Sequence, residues 1–173
     1  MSAIGIMDGA FFVGRKDIID WINTTLDVSI NRIEDTASGA IACQLLDIMY
    51  PNTLPMHKVN WSANKDFEYI ANYKLLQTAF NKNSIDKHID VDRLISGRYM
   101  DNLEFMQWFK RFFEMHVTDK GDYDAITVRS KGKGGSSFFP LKVTAGSKKP
   151  TPAVVSKPTT TTTTKSASNT ITV

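Results

Sequence analysis

Between Arg15 and Phe113 the apolar residues recur at intervals of three and four, and no stretch alternates apolar with polar residues as a half-buried strand does. That period dictates helices. The first is predicted over about 15–26, with Ile18, Ile19, Ile22 and Leu26 on one side and Trp21 beside them. Residues 29–36 form a short amphipathic turn around Ile30 and Ile33. After Gly39 the run AIACQLLDIMY makes a second helix, which Pro51 must end because its ring obstructs the helical backbone and it has no N–H to donate. The segment NTLP that follows is a loop.

Ser62 is placed to cap a long helix running to about Asn83, in which Tyr69, Tyr73, Leu76 and Phe80 share a face with Phe67, Ile70 and Leu75 flanking. This helix is expected to be the central one. A short helix over 91–95, opened by Asp90 or Asp92, leads to a turn at Gly97. The last helix begins near Asp101 and carries Leu103, Phe105, Met106, Trp108, Phe109, Phe112 and Phe113, so much apolar circumference that burial on most sides is expected. The fold class is therefore all-α, a bundle of four main helices plus short connecting helices, with its two most hydrophobic helices in mutual contact.

The end of the chain is different in kind. Of the 49 residues over 125–173, 34 are Thr, Ser, Gly, Pro, Lys or Arg, whereas 16 of the 18 aromatic residues precede Asp124. So little apolar surface cannot offset the entropy of ordering a backbone, and disorder is predicted over 130–173 with Phe138 and Phe139 as one sticky spot. The implied organisation is an extension over 1–11, a folded domain over 12–124 and a tail over 125–173. Eight basic and no acidic residues make the tail +8, and the remainder, with 13 basic and 18 acidic residues, is −5. A basic arm on an acidic head is drawn to nucleic acid, anionic lipid or an acidic protein polymer, and charge alone does not choose among them. No apolar run approaches the ~18 residues of a membrane helix, so a soluble cytoplasmic protein is expected.

Chemistry is hard to find. His57, His88 and His116 are far apart and no HxxxH, HExxH or CxxC spacing occurs, so no metal site is expected. Asp86, Asp90 and Asp92 cluster at a helix start, where the macrodipole favours negative charge, and nothing marks them as an acid–base pair. GKGG at 132–135 lacks the preceding strand and following GK[ST] of a phosphate loop and reads as linker. Cys43 reads as a buried small hydrophobe that forms no internal disulfide. Neither an enzyme nor a cofactor is indicated. Trp21, Phe105, Trp108, Phe109 and Phe112 have helical spacing and belong to the core rather than to a base-stacking platform. Trp61, in a loop beside His57 and Lys58, either anchors that loop or meets a partner.

Four blocks, DIIDWIN (17–23), SGAIACQLLDIMYP (38–51), DFEYIANYKLLQTAF (66–80) and VDRLISGRYMDNLEFMQWFKRFF (91–113), followed by GDYDA, resemble the end-binding family of microtubule plus-end tracking proteins. The resemblance covers about residues 12–124 in unbroken order. It implies a calponin-homology domain that binds microtubules between protofilaments, prefers the growing plus end, regulates microtubule dynamics without catalysis or cofactor, and works in the cytoplasm on the cytoskeleton, at spindle and centrosome. Positions matching the family's contact face are Arg15, His57, Lys58, Asn64, Lys74, Lys87, Arg98 and Met100. Lys58, Lys87 and Arg98 keep the charge that an acidic tubulin surface would attract; His57 and Asn64 stand where animal members have lysines, and Met100 replaces a glutamine. The alternatives are an actin-binding or signalling calponin-homology domain, or nucleic-acid binding through the basic tail. Without a/d heptads in the tail the chain is expected to be a monomer, dimerising only if a coiled coil follows.

Overall fold

In the computed structural model, which describes residues 13–140, the order is α1 (Arg15–Leu26), α2 (Ala40–Met49), α3 (Asp66–Lys82), α4 (Val91–Ile95), α5 (Tyr99–His116) and α6 (Ala125–Arg129). Single 3₁₀ turns lie over Ile33–Thr36, Met56–Lys58 and Gly135–Ser137. Among the described residues there is no strand, only an isolated parallel bridge between Asn60 and Lys133. Four long helices and short connectors are the predicted all-α bundle.

α1 buries Ile18, Ile22 and Leu26, a single stripe at spacings of four, and ends where Asp27 turns left-handed at φ 56°. Asn23 then fixes the reversal, because its amide donates to Ile30 O at 3.0 Å and accepts from Ile30 N at 2.9 Å. α2 is the central helix, in place of α3: every residue from Ala40 to Ile48 is buried, and α2 packs against both α3 and α5. Its approach to α3 is set by Gly39, at φ 85°, whose missing Cβ would stand 3.0 Å from the Tyr73 ring. Cys43 is fully buried there, and burial pushes its thiol well above the usual range.

Two helix starts differ from expectation. Ser62 caps nothing, because α3 begins at Asp66, and Asn60 Oδ1 already accepts the Ser62 N–H at 2.9 Å to make a local turn. α5 begins at Tyr99, two residues before Asp101. α5 is also less enclosed than its composition suggests. Asn102, Leu103, Phe105, Met106, Phe109 and Phe113 are buried, while Trp108 and Phe112 are half-buried and stack on each other at 4.9 Å. α4 opens on Asp90, whose side chain accepts from Arg93 N at 3.5 Å.

The fold runs past residue 124, correcting the expected domain boundary, and residues 130–140 are structured where disorder was expected. Asp124 caps α6 by accepting from Thr127 N at 3.1 Å and Thr127 Oγ1 at 2.7 Å. The chain then returns as a strap over the bundle: Lys133 O accepts from Trp61 N at 2.7 Å and Phe139 O from Ser29 N at 2.9 Å. Phe138 packs edge-on to Trp61 with centroids 4.8 Å apart. The extension expected over 1–11 and the tail beyond Pro140 lie outside the described residues.

Candidate functional site

The surface begins at the loop between α2 and α3. Its 3₁₀ turn buries Met56 and leaves His57 and Lys58 exposed, and the next residues bury Val59 and Trp61. Asn72, 1% exposed on α3, secures this course. Its Oδ1 accepts from Asn60 N at 2.9 Å, and its Nδ2 donates to Asn60 O at 3.0 Å and Ser38 O at 2.9 Å, tying the loop to the turn before α2. Glu68 completes the anchor by accepting from Asn64 N at 3.0 Å and Asn60 Nδ2 at 3.2 Å. Those hydrogen bonds, the Asn64 one above all, hold its carboxyl below the usual range. His57, Lys58 and Asn64 thus share one pinned loop. Trp61 is 4% exposed, so of its two readings the structure supports the anchor.

A second group lies at α4 and the start of α5. Lys87 is half-buried with Nζ 5.2 Å from the Trp108 ring centroid, and burial lowers its pKa while Glu104 raises it. It lines a cleft of about 290 Å³ with Arg93, Asp101 and Glu104. Arg98 is exposed, with Nη1 3.8 Å from Asp101 Oδ2, and Met100 beside it is 56% exposed. Arg93 reaches Asp90 at 3.4 Å and Asp101 at 3.9 Å. Positive charge here is matched by carboxylates.

Lys74 is exposed on the outer side of α3, one turn before Gln77, which shares a second cleft with Lys87. Arg15 stands apart in the first turn of α1, where Val13 O accepts from Gln107 of α5 at 2.7 Å. The eight residues therefore fall into the 57–64 loop, the 87–100 region, Lys74 between them and Arg15 alone.

Sequence reasoning assigned Lys131 and Lys133 to the tail, yet both are exposed on the fold next to the 57–64 loop. The signal was GKGG itself. A Cβ on Gly132 would lie 2.4 Å from Val59 O, on Gly134 1.9 Å from Ser62 Oγ, and on Gly135 1.7 Å from Arg129 O. Beneath them Arg129, 3% exposed, donates to Leu26 O at 2.7 Å, Gln44 Oε1 at 3.1 Å and Asp27 O at 3.1 Å. Gln44 Nε2 donates to Ala125 O at 2.9 Å, and Tyr123 donates its hydroxyl to Asp47 at 2.7 Å, so α2 grips this segment at several points.

No group of three His, Cys, Asp or Glu residues that could hold a metal ion occurs among the described residues. A groove of about 600 Å³ between the Ile33–Thr36 turn, Trp61 and the strap contains Ser38, Ser62 and Ser137 but no histidine or lysine to activate them. No helix among the described residues is long and apolar enough to cross a membrane.

Comparison with known proteins gives a consistent picture. The calponin homology (CH) domain family matches residues 13–118. Microtubule-associated protein RP/EB family member 1C of Arabidopsis thaliana is 49% identical over 132 residues, which cover 76% of this chain and 40% of that protein. End-binding protein 1 of Giardia intestinalis is 36% identical over 166 residues, 91% of this chain and 70% of that protein. Against the plant member 1C the chain spans about 40% of the relative's length, and the same holds for member 1A. A solved structure from "Structural Basis of Microtubule Plus End Tracking by XMAP215, CLIP-170 and EB1" superimposes with TM-score 0.64 at 36% identity, covering 68% of this chain and 99% of that one.

Proposed function

The chain belongs to the end-binding (RP/EB) family of calponin-homology proteins, and on that premise we propose that it binds microtubules, recognises their growing plus ends and regulates their dynamics. The observation that carries this is the match, over 99% of its length, of a chain from a study of microtubule plus-end tracking. The reading assigns the contact to Lys58, Lys87 and Arg98 first, with His57, Asn64, Lys74, Met100 and Arg15 around them. Lys58, Arg98 and Lys74 are solvent-exposed, as attraction to an acidic polymer needs, and such attraction weakens as salt shortens its ~8 Å reach. Binding proceeds without turnover. The cell's microtubule cytoskeleton, with its spindle and centrosome, is the place such a protein works.

Co-sedimentation tests the reading. The chain is mixed at moderate salt with microtubules in a GTP-like state, with GDP microtubules and with actin filaments. Preferential pelleting with the GTP-like polymer is expected, and charge reversal at Lys58 or Arg98 is expected to reduce it. Equal pelleting with all three polymers, seen only at low salt, would leave a basic tail as the sole binder and overturn the reading.

A further inference from the structure

Resting on the microtubule-binding reading, we infer that the strap carries a second part of the lattice contact: Lys131 and Lys133, held beside Lys58, form with it one basic edge that meets the acidic tubulin surface. Backbone contacts set the placement. Gly132, between the two lysines, sits so near the Met56–Lys58 turn that its absent Cβ would be 3.0 Å from Met56 O and 2.4 Å from Val59 O. On one side Lys133 bridges to Asn60 and accepts from Trp61 N at 2.7 Å. On the other, Lys131 and His57 line a single cleft of about 460 Å³ with Pro55, Met56 and Asp47. Arg129 anchors the strap from below through Leu26 O, Asp27 O and Gln44 Oε1. Both lysines are therefore exposed side chains on a fixed backbone, unlike charges on a loose arm.

The balance of charge favours this edge. Asp47, 8% exposed and accepting from Tyr123, faces Lys131, and Glu68, accepting from Asn60 and Asn64, faces Lys133, so the three lysines outnumber these two carboxylates. Among the described residues neither makes an ion pair with Lys58, Lys131 or Lys133. At the 87–100 region, by contrast, Asp90, Asp101 and Glu104 offset Lys87, Arg93 and Arg98 one for one. The excess positive field thus lies along the loop and strap, where an acidic polymer surface is complementary.

The test compares K131E/K133E, K58E and K148E/K149E in the full chain for affinity to GTP-like microtubules at two salt concentrations. K148E/K149E makes the same change in net charge outside the strap. About tenfold weaker binding is expected for K131E/K133E, with a shallower salt dependence, against about threefold or less for K148E/K149E. Should K131E/K133E lower the melting midpoint, K131Q/K133Q provides the comparison at about threefold. The inference is overturned if K58E weakens binding while both Lys131/Lys133 variants stay within about twofold of wild type, or if the two double reversals are equal. Failure of the wild-type chain to prefer GTP-like microtubules would instead strike the parent reading, and the inference with it.

Discussion

Replacing Arg129 by methionine removes the polar anchor of the strap and keeps an unbranched apolar stem in its place. Three acceptors, Leu26 O, Asp27 O and Gln44 Oε1, lose their donor. At about 1 kcal/mol for each buried acceptor left unpaired, the loss is about 3 kcal/mol. Part of this is recovered, because burial disfavours the guanidinium, its Nε is buried without a hydrogen-bond partner, and methionine keeps the packing of the aliphatic stem without that cost. A net destabilisation of about 2 kcal/mol follows, which in a domain of this size lowers the melting midpoint by roughly 6–10 °C. Thermal melting by far-UV circular dichroism measures it. Amide hydrogen exchange adds the local readout, since the Trp61 and Ser29 amides donate to strap carbonyls and should lose protection. An R129M chain melting within about 1 °C of wild type, with Trp61 and Ser29 still protected, would refute the idea that this network holds the strap.

Gly135→Ala should cost about 1–3 kcal/mol by urea denaturation, because its Cβ would fall 1.7 Å from the Arg129 carbonyl oxygen, which is backbone and cannot yield cheaply; an unchanged midpoint would contradict that packing. Lys87→Met keeps the aliphatic stem and loses the charge over Trp108, but burial already disfavours that charge, so stability should change by less than about 1 kcal/mol while lattice affinity falls; equal affinity to wild type would remove Lys87 from the contact. Burial raises the Asp47 carboxyl above its ordinary 3.8, so the folded chain holds that proton to higher pH than the unfolded chain, and the group's contribution to stability declines as pH rises through the folded value. Asp47→Asn, which can still accept from Tyr123, should therefore equal or exceed wild-type stability at pH 7, with the advantage shrinking toward pH 4; a larger deficit at pH 7 than at pH 4 would contradict the sign.

The helices were legible wherever apolar side chains do the packing. Ile18, Ile22 and Leu26 mark α1, and the continuous apolar run with Pro51 behind it marks α2. Where polar groups and glycines do the packing, the pattern was silent. Ser62 is a plausible cap by residue type, but Asn60 takes its N–H and Glu68 takes that of Asn64, so the helix starts four residues later. The strap reads as linker because its apolar content is small, and it is held by Arg129 and by glycines that approach through the Cβ they lack. Likewise, no spacing rule shows that His57 and Lys131, 74 positions apart, line one cleft. The candidate contact residues came through family resemblance rather than periodicity, and the structure supplied the neighbours that the resemblance left out.

The most direct test of plus-end recognition is fluorescence imaging of the labelled chain on dynamic microtubules at moderate salt and sub-saturating concentration. Signal concentrated at growing ends, fading on the older lattice behind them and vanishing when growth stops, is the predicted result. Uniform decoration of the lattice, or no signal on growing ends while the fold is intact, would contradict it.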